Sequence, residues 1–549
     1  MTDMRRTLLW VVFLVSLTFL WNNWNMHNGK PSMFAPTPAK PAATATAASG
    51  VPAPGQAGVA VSPAGAASAA VVASEQRTVK TDLYEATFDT KGADLVKLVL
   101  LKHPSDADPK QPLVLFDRSG ARTYTAQTGL IAQQPGVNLP NHLTLLKMLP
   151  GDTTLKDGQD TLTVSFETPE PAGVTLRKSY VFKRGQYTIG VRHEVTNRGT
   201  APVQPELYLQ LQRDGTVPPS SMFMAPTSFT GPAIYTEEKH FQKVEFADIE
   251  KGKTDYVKKA DNGWIAMVQH YFNSAWLVPG KAQREFRTQS LGNNLYTVAM
   301  VLPLGSIAPD ATVTHEAQLY AGPQEENKLQ ALAPGLELVK DYGWFAVIAK
   351  PLFWLLDKLH SMIGNWGWAI VALVVLLKIA FYWLNASAYR SMAKMKAINP
   401  RVMEMRERLK DKPQQMQQEM MRIYREEKVN PLGGCLPILV QMPFFIALYW
   451  VLLSSVEMRN APWLGWITDL SAKDPYYILP LLMTGSTLLQ TWLNPTPPDP
   501  VQARMMWIMP LIFSVFFFFF PAGLVLYWLT NNILGIAQQY IINKRLGVT

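Results

Sequence analysis

The chain is 549 residues long, 48% hydrophobic with 16 Trp and 24 Phe, and carries a formal net charge of +9. That length exceeds a single domain, and the uneven clustering of apolar residues marks a polytopic membrane protein with a soluble portion. The positive charge falls in loops beside apolar runs, so it reads as membrane topology and not as a footprint for specific nucleic-acid binding.

Met1 to Trp24 places Arg5 and Arg6 before an apolar run from Leu8 to Leu20. No small-residue cleavage site follows directly, so residues 1–27 read as an uncleaved signal-anchor helix with its N-terminus in the cytoplasm. Residues 28–78 are almost wholly Pro, Ala, Gly, Ser, Thr and Val, a disordered linker with too little large apolar surface to fold. Residues 79–335 contain short alternating runs such as LTVSFET (162–168), QYTIGVRHEV (186–195) and ELYLQLQR (206–213), punctuated by Gly, Pro and Asn. That pattern predicts a large antiparallel β-sandwich able to bury its own core. Sandwiches of this size can bind sugars, and Trp264 and Trp276 are candidates to line a saccharide groove, set against the simpler expectation that they are core aromatics.

Residues 336–361 mix aromatics and leucines with Lys340, Lys350 and Lys358 and are interrupted by Pro351, which predicts an amphipathic helix lying in the membrane interface. A helical membrane core is expected over 362–545, with apolar spans at about 364–386, 432–455, 476–493, 505–520 and 522–542. The first carries Lys378 about 18 Å of helix beyond Trp366. A lysine at a span centre costs roughly 2.5–3.5 kcal/mol, and the seven aliphatics Ile370, Val371 and Leu373 to Leu377 return about 2–4 kcal/mol, so the segment can still insert. No Asp or Glu lies in any apolar run of the chain. Lys378 is therefore either a snorkelling residue or a cation in a water-lined cavity that awaits an acidic visitor.

Residues 389–429 hold eleven basic residues against six acidic ones, which places this loop in the cytoplasm. Met392, Met395, Ile398, Val402, Met405 and Leu409 form one helical stripe; Met416, Met420 and Ile423 form a facing one after Pro413. The prediction is an antiparallel helical hairpin whose methionines mostly pack on each other, although such seams also suit adaptable apolar binding. Met505 to Ile542 is too long for one crossing, and Pro521-Ala522-Gly523 divides it. Six transmembrane helices result, and Lys544 and Arg545 then fall on the same side as the N-terminus.

KVNPLGGCLPILVQMPFFIALYWVLLSSVEMR (428–459), DLSAKDPYYILPLLM (469–483), FPAGLVLYWLTNNILGIAQQYII (520–542), GNWGWAI (364–370) and SMAKMK (391–396) resemble the YidC/Oxa/Alb family of membrane-protein insertases, and the signal anchor with a large β domain resembles its Gram-negative members. The resemblance implies five core spans around a hydrophilic groove open to cytoplasm and lipid, and a β domain in the periplasm. In that family a basic residue of the first core span attracts the polar leading segment of a substrate, and Lys378 holds that position where close relatives commonly have Arg. A tyrosine pair of some relatives reads Tyr527-Trp528. The resemblance further implies Gln441, Tyr527 and Asn531 as groove polar residues and Met442, Pro443, Phe445 and Phe516 as an apolar slide for the emerging helix. It assigns the hairpin, with Met395, Met405, Met416 and Met420, to contact with the incoming chain or its ribosome. The implied partners are nascent membrane proteins, the Sec translocon with its accessory subunits, and the lipid bilayer.

Two other functions fit the composition less well. A proton-coupled solute transporter with a periplasmic sugar-binding domain would use intramembrane carboxylates or histidines, which the apolar runs lack. A membrane-embedded hydrolase would need a nucleophile–base set, and the single cysteine, Cys435, stands alone in an apolar run. Eight scattered histidines and the lack of any P-loop, GxSxG or HExxH pattern give no reason to expect a cofactor or a metal.

Overall fold

The computed structural model describes residues 74–105, 108–120, 122–132, 138–169, 173–216, 228–409, 412–427, 436–494 and 500–545. The expected signal anchor (1–27), nearly all of the expected linker and Cys435 lie outside the described residues. The chain divides into two compact units, one of β structure ending at Lys340 and one of helices beginning at Asp341.

In the β unit, strands with period-two burial are joined by tight turns. Val174–Lys183 is the plainest case, its residues alternating between buried and half-buried along the whole strand. Among the described residues the strands form two nine-stranded antiparallel sheets. One runs from Gln76–Lys80 at one edge through Thr123–Ala132, Pro205–Asp214 and Leu295–Pro303 to Arg284–Gly292 and the two-residue strand Lys259–Ala260. The other is centred on Phe272–Leu277, Thr312–Pro323, Thr188–Asn197 and Val174–Lys183. Two short helices, α1 (Phe246–Glu250) and α2 (Glu326–Leu332), complete the unit. Trp276 is 1% exposed and its Nε1 donates across the sheets to the Gln210 carbonyl at 3.1 Å. Trp264 is equally buried, stacked on Tyr235, with Nε1 on the Pro334 carbonyl at 3.0 Å. Both tryptophans are core residues, which removes them from the saccharide groove considered from sequence.

The sandwich is also bolted by buried polar groups. Lys178 is fully buried, and its Nζ donates to the carbonyls of Gly92 (2.5 Å) and Thr128 (2.6 Å) on the opposite sheet. Tyr180 donates to the Ala93 carbonyl, and His193 Nε2 meets Thr128 Oγ1 at 3.0 Å. Gly92 has a φ of +74°, and a Cβ there would lie 2.5 Å from the His142 carbonyl oxygen, so no other residue fits this corner. Burial pushes the Asp94 carboxyl up to about 7 against the pull of Lys178, and pushes His142 down to about 4 and His193 well below the usual imidazole range.

The helical unit starts with α3 (Ala346–Ile363), whose inner face of Ala349, Leu352, Phe353 and Leu356 joins the core while Val347, Trp354 and Met362 stay exposed. Pro351 does not interrupt this helix, contrary to the sequence expectation; the donor it removes would have served Val347, which is exposed. Then follow α4 (Trp366–Ala380), α5 (Tyr382–Arg408), α6 (Pro413–Glu426), α7 (Leu436–Ser454), α8 (Ile478–Leu493), α9 (Pro500–Phe517) and α10 (Ala522–Arg545).

The GNWGWAI motif is a helix–helix corner. Gly364 closes α3 in the left-handed conformation, φ +76°, with its N–H on the His360 carbonyl. Asn365 caps α4 by accepting from the Trp368 N–H, and its Nδ2 donates to the carbonyls of Pro462 and Trp463. At Gly367 a Cβ would stand 2.1 Å from the Trp463 ring, so glycine alone admits that indole. The connection from Val456 to Tyr477 is packed accordingly: Met458, Ala461, Ile467 and Leu470 are buried in the same core as Trp366 and Leu524. Carbonyls of Ala472 and Leu470 accept the Ala522 and Gly523 N–H groups that open α10. Asp474, 2% exposed, accepts from Trp466 Nε1 and from the backbone N–H groups of Tyr476 and Leu479.

The expected span 364–386 is not one straight helix. α4 and α5 meet at Phe381 with a bend of 66°. The sequence carries neither Pro nor Gly there; the bend is held from outside, by Phe381 against Phe444 (5.0 Å) and by Gln441 Nε2 donating to Asn385 Oδ1 at 2.7 Å. Among the described residues no single helix is long and apolar enough to cross a membrane, whereas Trp366–Ala380 with Tyr382–Met395 reaches that length and composition together. The helix α5 thus runs from the second half of that bent pair into the first arm expected from 389. It packs on α6 through Val402, Met405 and Ile423, with Ile398, Leu409, Met416 and Met420 alongside, and Arg401 pairs with Glu426 and Glu427.

Below about pH 6.5 the unfolded β unit takes up protons on His142 and His193 that the folded unit refuses, so its stability falls as pH drops toward 4, by on the order of 3 kcal/mol for His142 alone. Asp94 acts the other way, since its folded pKa is raised and acid favours its folded state. Hydrogen-exchange protection of Thr123–Ala132 and Val174–Lys183 is expected to decline over that window, less steeply in His142→Asn and more steeply in Asp94→Asn.

Candidate functional site

Lys378 lies in the last turn of α4, three residues before the bend. That is about 18 Å along the helix from Trp366 and the packed connection 456–477. The side chain is half-buried and has no hydrogen bond or ion pair among the described residues. Its surroundings are set by Gly535 on α10. A Cβ at that position would be 3.5 Å from Lys378 Nζ, 3.3 Å from the Tyr389 hydroxyl and 3.7 Å from Gln490 Nε2. The absent side chain thus lets an ammonium from α4, a phenol from α5 and an amide from α8 converge on the surface of α10.

Asn532, Gly535 and Gln539 follow at spacings of three and four and make one polar face of α10. Asn532 Nδ2 donates to Ser486 Oγ (3.0 Å) and Thr487 Oγ1 (3.2 Å) on α8, and Gln539 Nε2 donates to Asn494 Oδ1 (3.1 Å). Gln539 Oε1, Gln538 Nε2 and Asn385 Nδ2 are buried without a protein partner among the described residues. In a low-dielectric helical unit such groups are satisfied by water or by a visiting polar chain. The hydroxyls of Thr484, Thr487 and Thr491 bond back to their own helix and need no further partner.

The expected site residues are distributed as follows. Gln441 joins Asn385 in a second polar pair at the α4–α5 bend. Tyr527 is 7% exposed within the apolar core, 6.0 Å from Phe445. Asn531 is half-buried, and it is its neighbour Asn532 that makes the contacts to α8. Met442 is exposed and Pro443 half-buried on α7, while Phe445 turns inward and stacks on Trp528 at 4.9 Å. Phe516 stands 6.2 Å from Phe513 on α9, whose Ile508, Leu511, Ile512 and Val515 are all exposed. Of the hairpin methionines, Met405 is in the seam, Met416 and Met420 pack beside it, and Met395 is half-buried. Tyr389, Asn385, Gln490, Asn532 and Gln539 were not among the expected site residues; the polar spacing of α10 against Ser486, Gln490 and Asn494 on α8 is the sequence signal that points to most of them.

A cation with unspent donors beside a phenol and a carboxamide can hold an anionic or carbonyl-rich segment. Among the described residues no group of His, Cys, Asp and Glu is arranged to hold a metal.

Family models described as the YidC periplasmic domain and the 60Kd inner membrane protein match residues 76–355 and 358–548. The chain is 55% identical to the membrane protein insertase YidC of Cupriavidus necator over 99% of this chain and 98% of that relative. It is 51% identical to the protein of the same description in Burkholderia multivorans over 99% of both. A crystal structure of an active YidC insertase with its first transmembrane domain resolved aligns over 86% of this chain and 93% of that one, at 19% identity and a TM-score of 0.41.

Gly535→Ala adds a Cβ in tight contact only with flexible side-chain ends, and it gains up to about 1 kcal/mol of helix propensity. Gly535→Leu instead fills the space where the three polar ends meet. Labelling of Lys378 by a water-soluble amine reagent is expected to be near wild type in the Ala variant and several-fold lower in the Leu variant.

Proposed function

The chain belongs to the YidC/Oxa/Alb family of membrane protein insertases, and on that premise we propose that its helical unit receives the polar leading segment of a nascent membrane protein at Lys378 and releases the apolar segment sideways into lipid. It is an inner-membrane protein with a β-rich periplasmic domain, and its function is to insert membrane proteins. The observation that carries the mechanism is the half-buried Lys378 ammonium, with no anion among the described residues and with Tyr389 and Gln490 brought to it by Gly535.

Moving a polar segment through roughly 30 Å of hydrocarbon is costly, because each unpaired polar group costs several kcal/mol. A polar pocket part-way into the helical unit shortens the dry path. The ammonium adds attraction that strengthens as the local dielectric falls. Buried, unpartnered amide groups on Gln538, Gln539 and Asn385 support a hydrated groove. The packed connection 456–477 supports closure of the end remote from Lys378. Release is then driven by the substrate's own apolar helix, past Met442 and the exposed aliphatic face of α9. No covalent step is required.

Six crossings, with the signal anchor as the first and both termini in the cytoplasm, account for the charge distribution; the hairpin 389–429 is then cytoplasmic and meets the incoming chain or its ribosome. The division into signal anchor (1–27), linker (28–78), β domain (79–335), interfacial helix (336–361) and insertase core (362–545) follows the same logic. The Sec translocon with its accessory subunits is the partner proposed for the β domain. A proton-coupled transporter draws no support from these helices, which carry no acidic relay.

Lys378→Ala is expected to impair insertion of substrates with acidic leading segments by about tenfold, the worth of one modest charge–charge contact, while Lys378→Arg is tolerated. Full activity of the Ala variant in reconstituted liposomes would remove the lysine from the mechanism. Deleting most of residues 79–320 is expected to spare core insertion of a substrate with a neutral leading segment; its abolition in stably expressed protein would assign the β domain an essential part.

A further inference from the structure

The β unit carries a groove of about 420 Å³ on the first sheet, within the size range of ligand sites, that the insertion mechanism does not use. Its floor comes from neighbouring strands, Pro205–Asp214 contributing Gln210, Leu295–Pro303 contributing Thr297, and Arg284–Gly292 contributing Gln289. Gln210 is 2% exposed and held in a relay, its Nε2 donating to Gln127 Oε1 (2.8 Å) and Gln127 Nε2 to Asp94 Oδ2 (3.0 Å). The floor is thus polar and fixed in orientation, since turning the Gln210 amide would break that chain. Along the rim stand Lys258, Lys259 and Arg287 against a single lining carboxylate, Glu285. Glu285 is already engaged by Arg287 at 2.7 Å and Lys259 at 3.8 Å, and its carboxyl is held below the usual range by the Arg287 contact first.

Two features choose among ligands. The one aromatic wall that could take a sugar ring, Tyr256, is covered by Lys258 Nζ 3.5 Å from its centroid, and its hydroxyl oxygen accepts from the Thr288 N–H and Oγ1–H. The outward N–H of Phe286 is likewise taken by the Lys258 carbonyl, so an incoming strand finds its first pairing positions occupied. Recognition is left to the cationic rim, which suits carboxylates on an extended chain. Segments that cross to the outer side of a membrane are poor in Lys and Arg, so few cations on them would oppose this rim.

We propose that this groove binds acidic extracytoplasmic segments of proteins under insertion, retaining them on the outer side after they have crossed. The proposal rests on the insertase reading, and it gives the β domain a role for those substrates whose outer segments are acidic.

The test uses the full chain in nanodiscs of uncharged lipid with a short fluorescent Glu/Ser peptide, a Lys/Ser peptide of equal length, and a neutral oligosaccharide. Saturable binding of the Glu/Ser peptide is expected, weakened by added salt and by about tenfold or more in a Lys258→Gln, Lys259→Gln double variant, with no binding of the Lys/Ser peptide. Equal binding by the double variant, or preference for the oligosaccharide, overturns the proposal. Insertion by the double variant separates the two levels. A substrate with a neutral outer segment inserts at the wild-type rate and one with an acidic outer segment is retarded; retardation of neither overturns this inference alone. The insertase mechanism stands or falls separately, on Lys378→Ala.

Discussion

An ammonium without a counter-ion is the constraint on which the helical unit turns. Placing Lys378 at the centre of a span would cost roughly 2.5–3.5 kcal/mol on insertion scales, and among the described residues no ion pair recovers it. A protein that retained such a group for stability would pair it. The surrounding residues do something different: Gly535 withdraws its side chain, and Tyr389 and Gln490 bring polar ends to the vacated surface. The site is kept electrostatically open, and openness is useful only if something negative or polar visits.

That arrangement depends on the bend at Phe381. A straight helix from Trp366 to Arg408 would carry Tyr389 on past Lys378 along one axis. The 66° turn lets α5 approach α10 from another direction, so residues eleven positions apart in sequence address the same glycine. The bend is in turn fixed by α7, through Phe444 and Gln441. One hydrogen bond between carboxamides therefore does structural work for a pocket formed by other residues, although Gln441 makes no contact with the lysine.

The division between what the sequence disclosed and what it hid follows from this. Long periodic patterns carried the β-sandwich, the hairpin seam of Val402, Met405 and Ile423, and the break at Pro521-Ala522-Gly523, because each is a local signal repeated many times. Lys378 stood out because a charge inside an apolar run is rare. The bend did not, since no Pro or Gly announces it and its causes sit on α7. Asn531 was favoured over Asn532 for want of a helical phase; the partners on α8 supply that phase, and with it the line Asn532, Gly535, Gln539. Tyr527 and Phe445 look like groove residues as residue types, yet in the fold both are drawn into the aromatic core around Trp528. The two tryptophans of the β unit follow the simpler expectation, core packing and not a saccharide groove, because large aromatics are as well suited to cores as to ligands.

The glycines link the two ends of the helical unit. Gly364 and Gly367 build the corner that lets Trp463 and the connection 456–477 pack down on α3 and α4, and Gly535 clears the polar pocket some 18 Å along α4. At the first end the space left by glycine is filled with an indole, making a dry seal. At the second it is left to three polar side-chain ends. Backbone surface exposed by the same device is covered by an indole in one place and faced by polar side-chain ends in the other, and the difference is the chemistry of what faces it. On the proposed insertion mechanism, that asymmetry is what an aqueous cavity that must not become a pore requires: polar groups at the end where substrate would enter, and aromatic packing at the end where water would be stopped.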